Sequence, residues 1–474
     1  MILPRRTFLS LAASALPARA LALVTGTKPA LHIRVGAVPR ATMPSDFTGL
    51  SYESAQLYNV HYFDADNRDL VRAFTGLSPN GVLRLGGNLS DLTRWQSPAG
   101  DFATQRQLAA TAHIKTAWEW KATDPVANAN RGGAITPDAI RNLRGFLDAT
   151  GWKAIYGLNF GSGDAARARD EAKYVSGILG DRLIAFQIGN EADLYHNNPL
   201  LRGRATDFET YYAGYRAFTA AVREAVPHAR FGGPDTAVNM QWTALYAERE
   251  KKDAVFLSSH HYAMGPAGDP RMTADVLLAP NAGLKKQIAS AQAAARVSGL
   301  AFRLTETNSC YRGGQPGVSD TFASALWAAD MMLETAAAGY AGANLHGGGD
   351  QVYTPIASDA SGTAARPIYS GMRFAQMFAG AELLQTAITA DRNVTAYAAR
   401  DGAKRLLALV NKSGDAVGVS LDWEDVAHRA PANAQLLSAP ALDSKDVSLT
   451  QIAPRVPDSL PAHTAMLLSW EARA

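Results

Sequence analysis

The chain has 474 residues, of which 47% are apolar and 19% charged. That is ordinary globular composition, which excludes disorder, collagen and coiled coil, and the length can bury a sizeable core as one large and one small unit. A net charge of +3 without a Lys/Arg block points to no nucleic-acid partner, and the single cysteine, Cys310, excludes an intramolecular disulfide and a cysteine metal cluster.

In chain order, Arg5-Arg6-Thr7-Phe8-Leu9 precedes an apolar run to Leu16 and the small-residue site Ala18-Arg19-Ala20. A basic start, a short apolar run and a small-x-small site read as an export signal over residues 1–25, and the paired arginines suit the twin-arginine route. The run is too short to span a membrane. The expected location is therefore periplasmic or secreted, with no membrane partner.

Leu31–Val35 alternates like a strand, and residues 26–42 are expected to cross over and join a C-terminal β-sandwich. Eight short apolar runs follow between 43 and 384: Phe47–Tyr52, Val82–Leu85, Ala154–Phe160, Leu183–Ile188, Arg230–Gly233, Val255–Leu257, Phe302–Leu304 and Ala343–Leu345. Continuous apolar runs suit strands buried on both faces. Helical patterns lie between them. The clearest is Asp207 to Val226, where Phe208, Tyr211, Tyr212, Tyr215, Phe218, Val222 and Val226 form one stripe, Asp207 caps the start and Pro227 stops the end. Ala165–Leu179 and the Ala-rich Thr321–Ala338 are two more. Strand and helix alternating eight times predict an α/β fold, a (β/α)8 barrel, with a doubly wound open sheet as the competing arrangement.

From about Gln385 the texture changes. Val394–Ala398, Arg405–Val410, Ala416–Leu421, Gln435–Leu437, Val447–Leu449 and Ala465–Trp470 read as short strands, with Asp401-Gly402 and Ser413-Gly414-Asp415 as turns. Residues 385–474 are expected to form the antiparallel β-sandwich.

In such a barrel, chemistry sits where strands meet the loops that follow them. The fourth barrel strand ends in Gly189-Asn190-Glu191 and the seventh in Thr305-Glu306. Strands four and seven face each other across eight, so both glutamates can reach one cleft. Two such acids carry out glycoside hydrolysis when one keeps its proton and the other is ionised. Asn190 stands where its amide can bond the sugar 2-hydroxyl.

At these residues the chain resembles the retaining glycoside hydrolases on (β/α)8 barrels. Glu306-Thr307-Asn308-Ser309-Cys310-Tyr311-Arg312-Gly313-Gly314 is similar to the nucleophile segment of glycoside hydrolase family 79, which includes heparanase and bacterial β-glucuronidases. Gly76-Leu77-Ser78-Pro79, Leu83-Arg84-Leu85-Gly86-Gly87-Asn88 and His260-His261-Tyr262 fit the same pattern. The resemblance implies a retaining β-glucuronidase without cofactor, Glu306 as nucleophile and Glu191 as general acid/base. It implies a uronate grip by Tyr311, the amide of Gly313, Tyr262 and Tyr353, and a substrate that carries glucuronic acid. Directed donors suit a buried carboxylate. Arg312 departs from the family's Gly and leaves endo- and exo-action both open. A hydrolase of neutral β-glycosides and a non-catalytic sugar-binding protein are the rival readings.

Lesser candidates remain. Glu53 is open between sugar hydroxyls and a salt bridge to Arg84, while Arg84 is expected to orient Glu306 or Glu191. Asn88 is placed in the same pocket, and Asp235 stands open between a structural role and a substrate contact. His260 and His261, adjacent on a strand, point to opposite faces and are not expected to hold a metal. His346-Gly347-Gly348-Gly349-Asp350 lacks the GK[ST] of a phosphate cradle and reads as a flexible loop over the cleft. Cys310 reads as a packing residue. Oligomeric state is not legible in the sequence.

Overall fold

The structure, a computed structural model, describes residues 30–100, 133–198, 201, 203–349, 351–359, 362–427 and 429–471. The expected leader and Asp350 lie outside them. After β1 (Ala30–Thr42), eight strands close into a barrel: β2 (Thr48–Glu53), β3 (Val82–Gly86), β4 (Lys153–Leu158), β5 (Leu183–Ile188), β6 (Phe231–Thr236), β7 (Ala254–Met264), β8 (Phe302–Cys310) and β9 (Gly342–Gly347). Every neighbouring pair is parallel. The expected (β/α)8 barrel is thus the fold, and each apolar run coincides with one of its strands.

The helices between and after them are α1 (Arg68–Leu77), α2 (Pro137–Thr150), α3 (Ala165–Leu179), α4 (Phe208–Ala225), α5 (Met240–Glu250), α6 (Ala274–Leu278), α7 (Ala282–Ser298), α8 (Phe322–Ala337) and α9 (Pro367–Gln376). Side-chain caps start several of them. Thr136, Asp164, Asp207 and Asn281 each accept a backbone N–H of the first turn. On α4 the aromatic stripe is buried at Phe208, Tyr211, Tyr215, Phe218 and Val222, and the helix ends at Ala225, before Pro227.

A hairpin, β10 (Ile356–Asp359) and β11 (Gly362–Ala365), follows the barrel and was not expected from the sequence. The terminal region is β12 (Glu382–Ala390), β13 (Val394–Asp401), β14 (Lys404–Asn411), β15 (Val417–Asp422), β16 (Asn433–Ser438), β17 (Ser448–Ile452), β18 (Ser459–Leu460) and β19 (Thr464–Glu471). With β1 these form one nine-stranded sheet, ordered β17-β16-β19-β14-β13-β12-β1-β15-β18. β12 runs through the expected boundary at 384/385, because it is the strand against which β1 pairs, from Leu31–Ala390 to Thr42–Glu382. The one parallel neighbour of β1 is β15, so the sheet is mostly antiparallel.

Period-two patterning gives this sheet two buried faces. Leu31, Ile33, Leu407, Leu409, Leu468 and Trp470 share one apolar cluster that draws on both ends of the sheet, the packing expected of a sandwich. The alternate residues Leu406, Ala408, Val410 and Leu467 join the core cluster of the barrel. α8 lies between the two and is apolar nearly all round for that reason. Its one buried acid, Asp330, accepts from Lys412, Thr395 and Tyr397 of the sheet side, so the interface is also tied by a charge pair. Among the described residues no helix is long and apolar enough to cross a membrane.

Candidate active site

The site is built on the C-terminal ends of β2, β3, β5, β6, β7, β8 and β9. β5 ends at Ile188, and the chain turns through Gly189 (φ 80°), Asn190 and Glu191, whose own φ is 52°. A non-glycine residue in that region is costly unless its surroundings hold it. Here the Glu191 N–H donates to the Asp235 carbonyl at 3.0 Å, and the Asn190 N–H donates to Asp91 Oδ2 at 3.1 Å.

Glu306 sits inside β8, not at its end, because β7 and β8 continue as a paired ribbon from His260–Glu306 to Met264–Cys310. The two glutamates nevertheless meet. One carboxylate oxygen of Glu191, one of Glu306 and a ring nitrogen of His260 lie within 4.8 Å of one another. The Glu191 side chain keeps 14% of its exposure and Glu306 5%, so Glu191 is the more open of the two.

Arg84 is the centre of the polar core. It is 1% exposed, and Gly86 leaves room for it, since a Cβ there would lie 2.1 Å from the guanidinium carbon. Arg84 donates to Glu306 Oε2 (2.7 Å), Asn190 Oδ1 (2.6 Å), Ser51 Oγ (3.0 Å), Gln187 Oε1 (3.3 Å) and Asp235 Oδ2. Glu306 thus takes the expected arginine. The alternative salt bridge from Glu53 to Arg84 does not form. Glu53 is buried, accepts the Leu89 N–H at 2.8 Å and lies 3.8 Å from His346 Nε2.

The other candidates fall around this core. The Asn190 amide donates to Asn88 Oδ1 at 3.4 Å, which joins those two at one wall. The Tyr262 hydroxyl donates to Glu306 Oε1 at 2.7 Å, so it holds the carboxylate rather than standing free. The Tyr262 ring is 6.3 Å from both Tyr311 and Tyr353. Tyr353 is buried, whereas Tyr311 is 38% exposed. Gly313 has φ 88° and accepts the Tyr353 N–H at 3.2 Å. Gly314, at φ 95°, has no room for a Cβ, which would lie 2.7 Å from Tyr353 N. After β9 the Gly348 N–H donates to Thr354 Oγ1 at 3.0 Å and the Ser358 N–H to the Gly349 carbonyl. Cys310 is buried, and burial pushes its thiol up to about 11, the state of an inert packing residue.

Three contributors were not legible as such in the sequence. His260 points inward, with Nδ1 2.7 Å from Glu191 Oε1 and Nε2 3.2 Å from Asp235 Oδ1, while His261 points the other way to Asn281. Gln187 bridges Arg84 and Asp235. Asp91 holds the backbone of Asn190 and of Gly161. Alternation along β7 is the signal that finds His260, two residues before Tyr262 on the same face.

The electrostatics separate the two glutamates. Burial pushes the Glu306 carboxyl up, but the His346 and His260 rings, Arg84 and the Tyr262 hydroxyl outweigh it and hold the group at about 2. For Glu191 burial wins over the His260 hydrogen bond, and its pKa is raised. Burial lowers His260, yet Asp235 and Glu306 lift it to about 10. Asp235 is held well below the carboxylate range by Arg84 and His260 in spite of its burial. At neutral pH the core therefore carries Arg84 and His260 as cations, Asp235 and Glu306 as anions, and Glu191 as the group that retains a proton most readily. Glu191, His260 and Glu306 also have the separations of a metal-ligand triad. His260 already spends both ring nitrogens, Nδ1 on Glu191 and Nε2 on Asp235.

A (β/α)8 barrel with two neighbouring glutamates at its mouth, joined to a β-sheet domain that takes in the strand β1, is the class this geometry defines. No protein-family profile matches the chain. It is 26% identical over 284 residues to a beta-glucuronidase of Aspergillus niger, a stretch that covers 52% of each chain. It is 39% identical over 79 residues to a beta-glucuronidase of Neurospora crassa, 16% of this chain and 14% of that one. The aligned part thus spans about half the length of the first relative and far less of the second. Among solved structures, a 4-O-α-L-rhamnosyl-β-D-glucuronidase from Fusarium oxysporum 12S matches with a TM-score of 0.68 at 18% identity, over 92% of this chain and 99% of that one. A family 51 arabinofuranosidase from Xanthomonas axonopodis pv. citri matches with a TM-score of 0.68 at 17% identity, over 93% and 100%. At such identities the likeness speaks for the fold alone.

Proposed function

We propose that the protein is a glycoside hydrolase, a retaining β-glucuronidase of the family 79 type that removes β-linked glucuronic acid from a glycan or glycoconjugate. The observation that carries this reading is a buried and a partly buried carboxylate, with one oxygen of each within 4.8 Å, whose pKa values are driven apart, Glu306 down and Glu191 up. That is the division of labour the chemistry needs. Glu306 attacks the anomeric carbon as its carboxylate, and Glu191 gives its proton to the departing oxygen. A covalent glycosyl-enzyme forms. Glu191, now ionised, takes a proton from water, which attacks the same carbon and releases Glu306. The short separation favours retention, for which carboxyl groups stand ~5–5.5 Å apart, over inversion at ~6.5–9.5 Å.

The glucuronidase names of the two sequence relatives support the choice of a uronic acid. Tyr353, Tyr311 and the Gly313 amide are proposed to hold its carboxylate. Tyr262, bonded to Glu306, orients the nucleophile from the same side. Export to the periplasm or the medium, with loss of residues 1–25, belongs to the same proposal.

The test is a panel of aryl β-glucuronide, aryl β-glucoside and aryl arabinofuranoside, with the first-formed anomer followed by NMR. The glucuronide is expected to be cleaved alone, releasing the β-anomer first. Faster cleavage of a neutral glycoside defeats the uronate assignment, and an α-anomer first defeats retention.

A further inference from the structure

Asp235 is buried beneath the two glutamates and is linked to each of them through a cation. It lies at the end of β6, 1% exposed, with its backbone at φ 61°. Its Oδ2 takes Arg84 Nη2, and Arg84 Nη1 takes Glu306 Oε2 at 2.7 Å. Its Oδ1 lies 3.2 Å from His260 Nε2, and His260 Nδ1 lies 2.7 Å from Glu191 Oε1. Its backbone carbonyl takes the Glu191 N–H at 3.0 Å. Three neutral donors complete it: Gln187 Nε2 at 2.7 Å, Ser258 Oγ at 3.2 Å and Thr305 Oγ1. A buried carboxylate with this many donors stays ionised and fixed in one orientation.

We propose that Asp235 is the positioning residue that holds the two glutamates in their separate roles, anchoring Arg84 against Glu306 with one carboxylate oxygen and His260 against Glu191 with the other.

The charged groups around it support this. From β3 it faces Arg84, from β7 His260, and from β8 Glu306 across the arginine. From α4 the Tyr211 hydroxyl reaches the Pro234 carbonyl beside it, at 3.4 Å. Arg84 and His260 are its only cationic neighbours among the described hydrogen bonds and ion pairs; Arg84 also serves Glu306, and His260 serves Glu191 and, at 4.0 Å, Glu306. A single negative charge thereby keeps both cations in place. Without it, His260 loses its nearest ionised partner, keeps only Glu306 at 4.0 Å and holds its proton less tightly, and Arg84 has only Glu306 as a charged partner. The strained backbone at 235 fits this role, since positive-φ residues persist where surrounding bonds over-determine them. The kinetic part of this inference rests on the proposed hydrolase reading; the effect on His260 does not.

The experiment follows the His260 ring by NMR in labelled full-length protein, in the wild type and in Asp235→Asn, and records pH profiles of kcat/KM on the preferred aryl glycoside. In the wild type His260 is expected to titrate near pH 10. In Asp235→Asn its titration should fall by about two pH units or more, the scale set by one close opposite charge. kcat should fall about 100-fold, as misplaced catalytic groups do, with KM changed far less. On a His260→Asn background, the same change at 235 should cost little more in the alkaline limb. A wild-type His260 that titrates at or below its ordinary value overturns the proposal without any variant, so a variant that fails to fold does not protect it. An active Asp235→Asn enzyme with unchanged His260 titration and pH profile overturns it as well. If the wild type cleaves no glycoside at all, the hydrolase reading fails, and the ring titrations still decide whether Asp235 controls His260.

Discussion

Two arginine–carboxylate pairs, one in each region of this molecule, have nearly the same geometry and opposite meaning. In the terminal sheet Arg34 on β1 meets Asp422 on β15 at 3.1 Å, with the side chains 80% and 73% exposed. In the barrel Arg84 meets Glu306 at 2.7 Å, with 1% and 5% exposed. Water screens the first pair, which adds little to stability. The second has no water to return to, so its charges are held by one another and by a shell of hydrogen bonds. Apart from Lys412 at its interface with the barrel, the sheet domain's ion pairs lie at its surface and its apolar residues inside. The barrel mouth does the reverse, and the reversal is what separates the protonation of Glu191 and Glu306.

The contrast can be broken from the barrel side first. Glu306→Gln should lower turnover by about 10⁴-fold or more on the preferred aryl glycoside, while Glu191→Gln should fall less when the leaving group is a good one. Steady-state rates across a leaving-group series check both. If both variants keep the wild-type rate, the mouth is not a catalytic site. Arg84→Met leaves Asp235 and Glu306 buried without their cation and should cost about 3–5 kcal/mol in denaturant unfolding.

pH tests the same difference without mutation. Glu306 must be ionised, so kcat/KM should persist to low pH and be lost only as pH falls through about 2, unless the fold gives way first. Glu191 must be protonated, so the rate should be lost as pH rises through its raised pKa. For stability the signs follow from the folded values. The depressed Glu306 contributes stability above its unfolded pKa, and that contribution fades as pH falls toward about 2. The smallest effect belongs to the sheet. Arg34→Ala should change unfolding free energy by less than about 1 kcal/mol and leave kinetics alone. A larger loss there would mean that the exposed pair is not the passive one.

The site was unevenly legible. Glu191 and Glu306 stand out because each follows an apolar run at a place where barrel chemistry collects. Asn88, Glu53 and Asn190 were within reach for the same reason. His260 was visible only as one of two adjacent histidines on opposite faces of a strand, and its hold on Glu191 was not. Asp235 and Arg84 were named, but their joint role was not readable, because it depends on which side chains from β3, β5, β6, β7 and β8 share one layer of the barrel. Tyr262 was expected to grip the uronate, and the bond from its hydroxyl to Glu306 was not legible. Position on a strand tells which face a side chain takes, not which partner it finds there.

The amino-acid order by itself determined the elements. Apolar runs of three to seven residues made strands buried on both faces, three-and-four spacing made helices, and alternation in β1 and the C-terminal strands made one sheet. These are local periodicities, set by the backbone geometry of a few residues at a time. Only the tertiary structure decided which charges would lie together out of water. Closure of the barrel brings residues as distant as Arg84 and Glu306 within one hydrogen bond. Their protonation then depends on the sum of burial and neighbouring charge, a quantity no single segment carries.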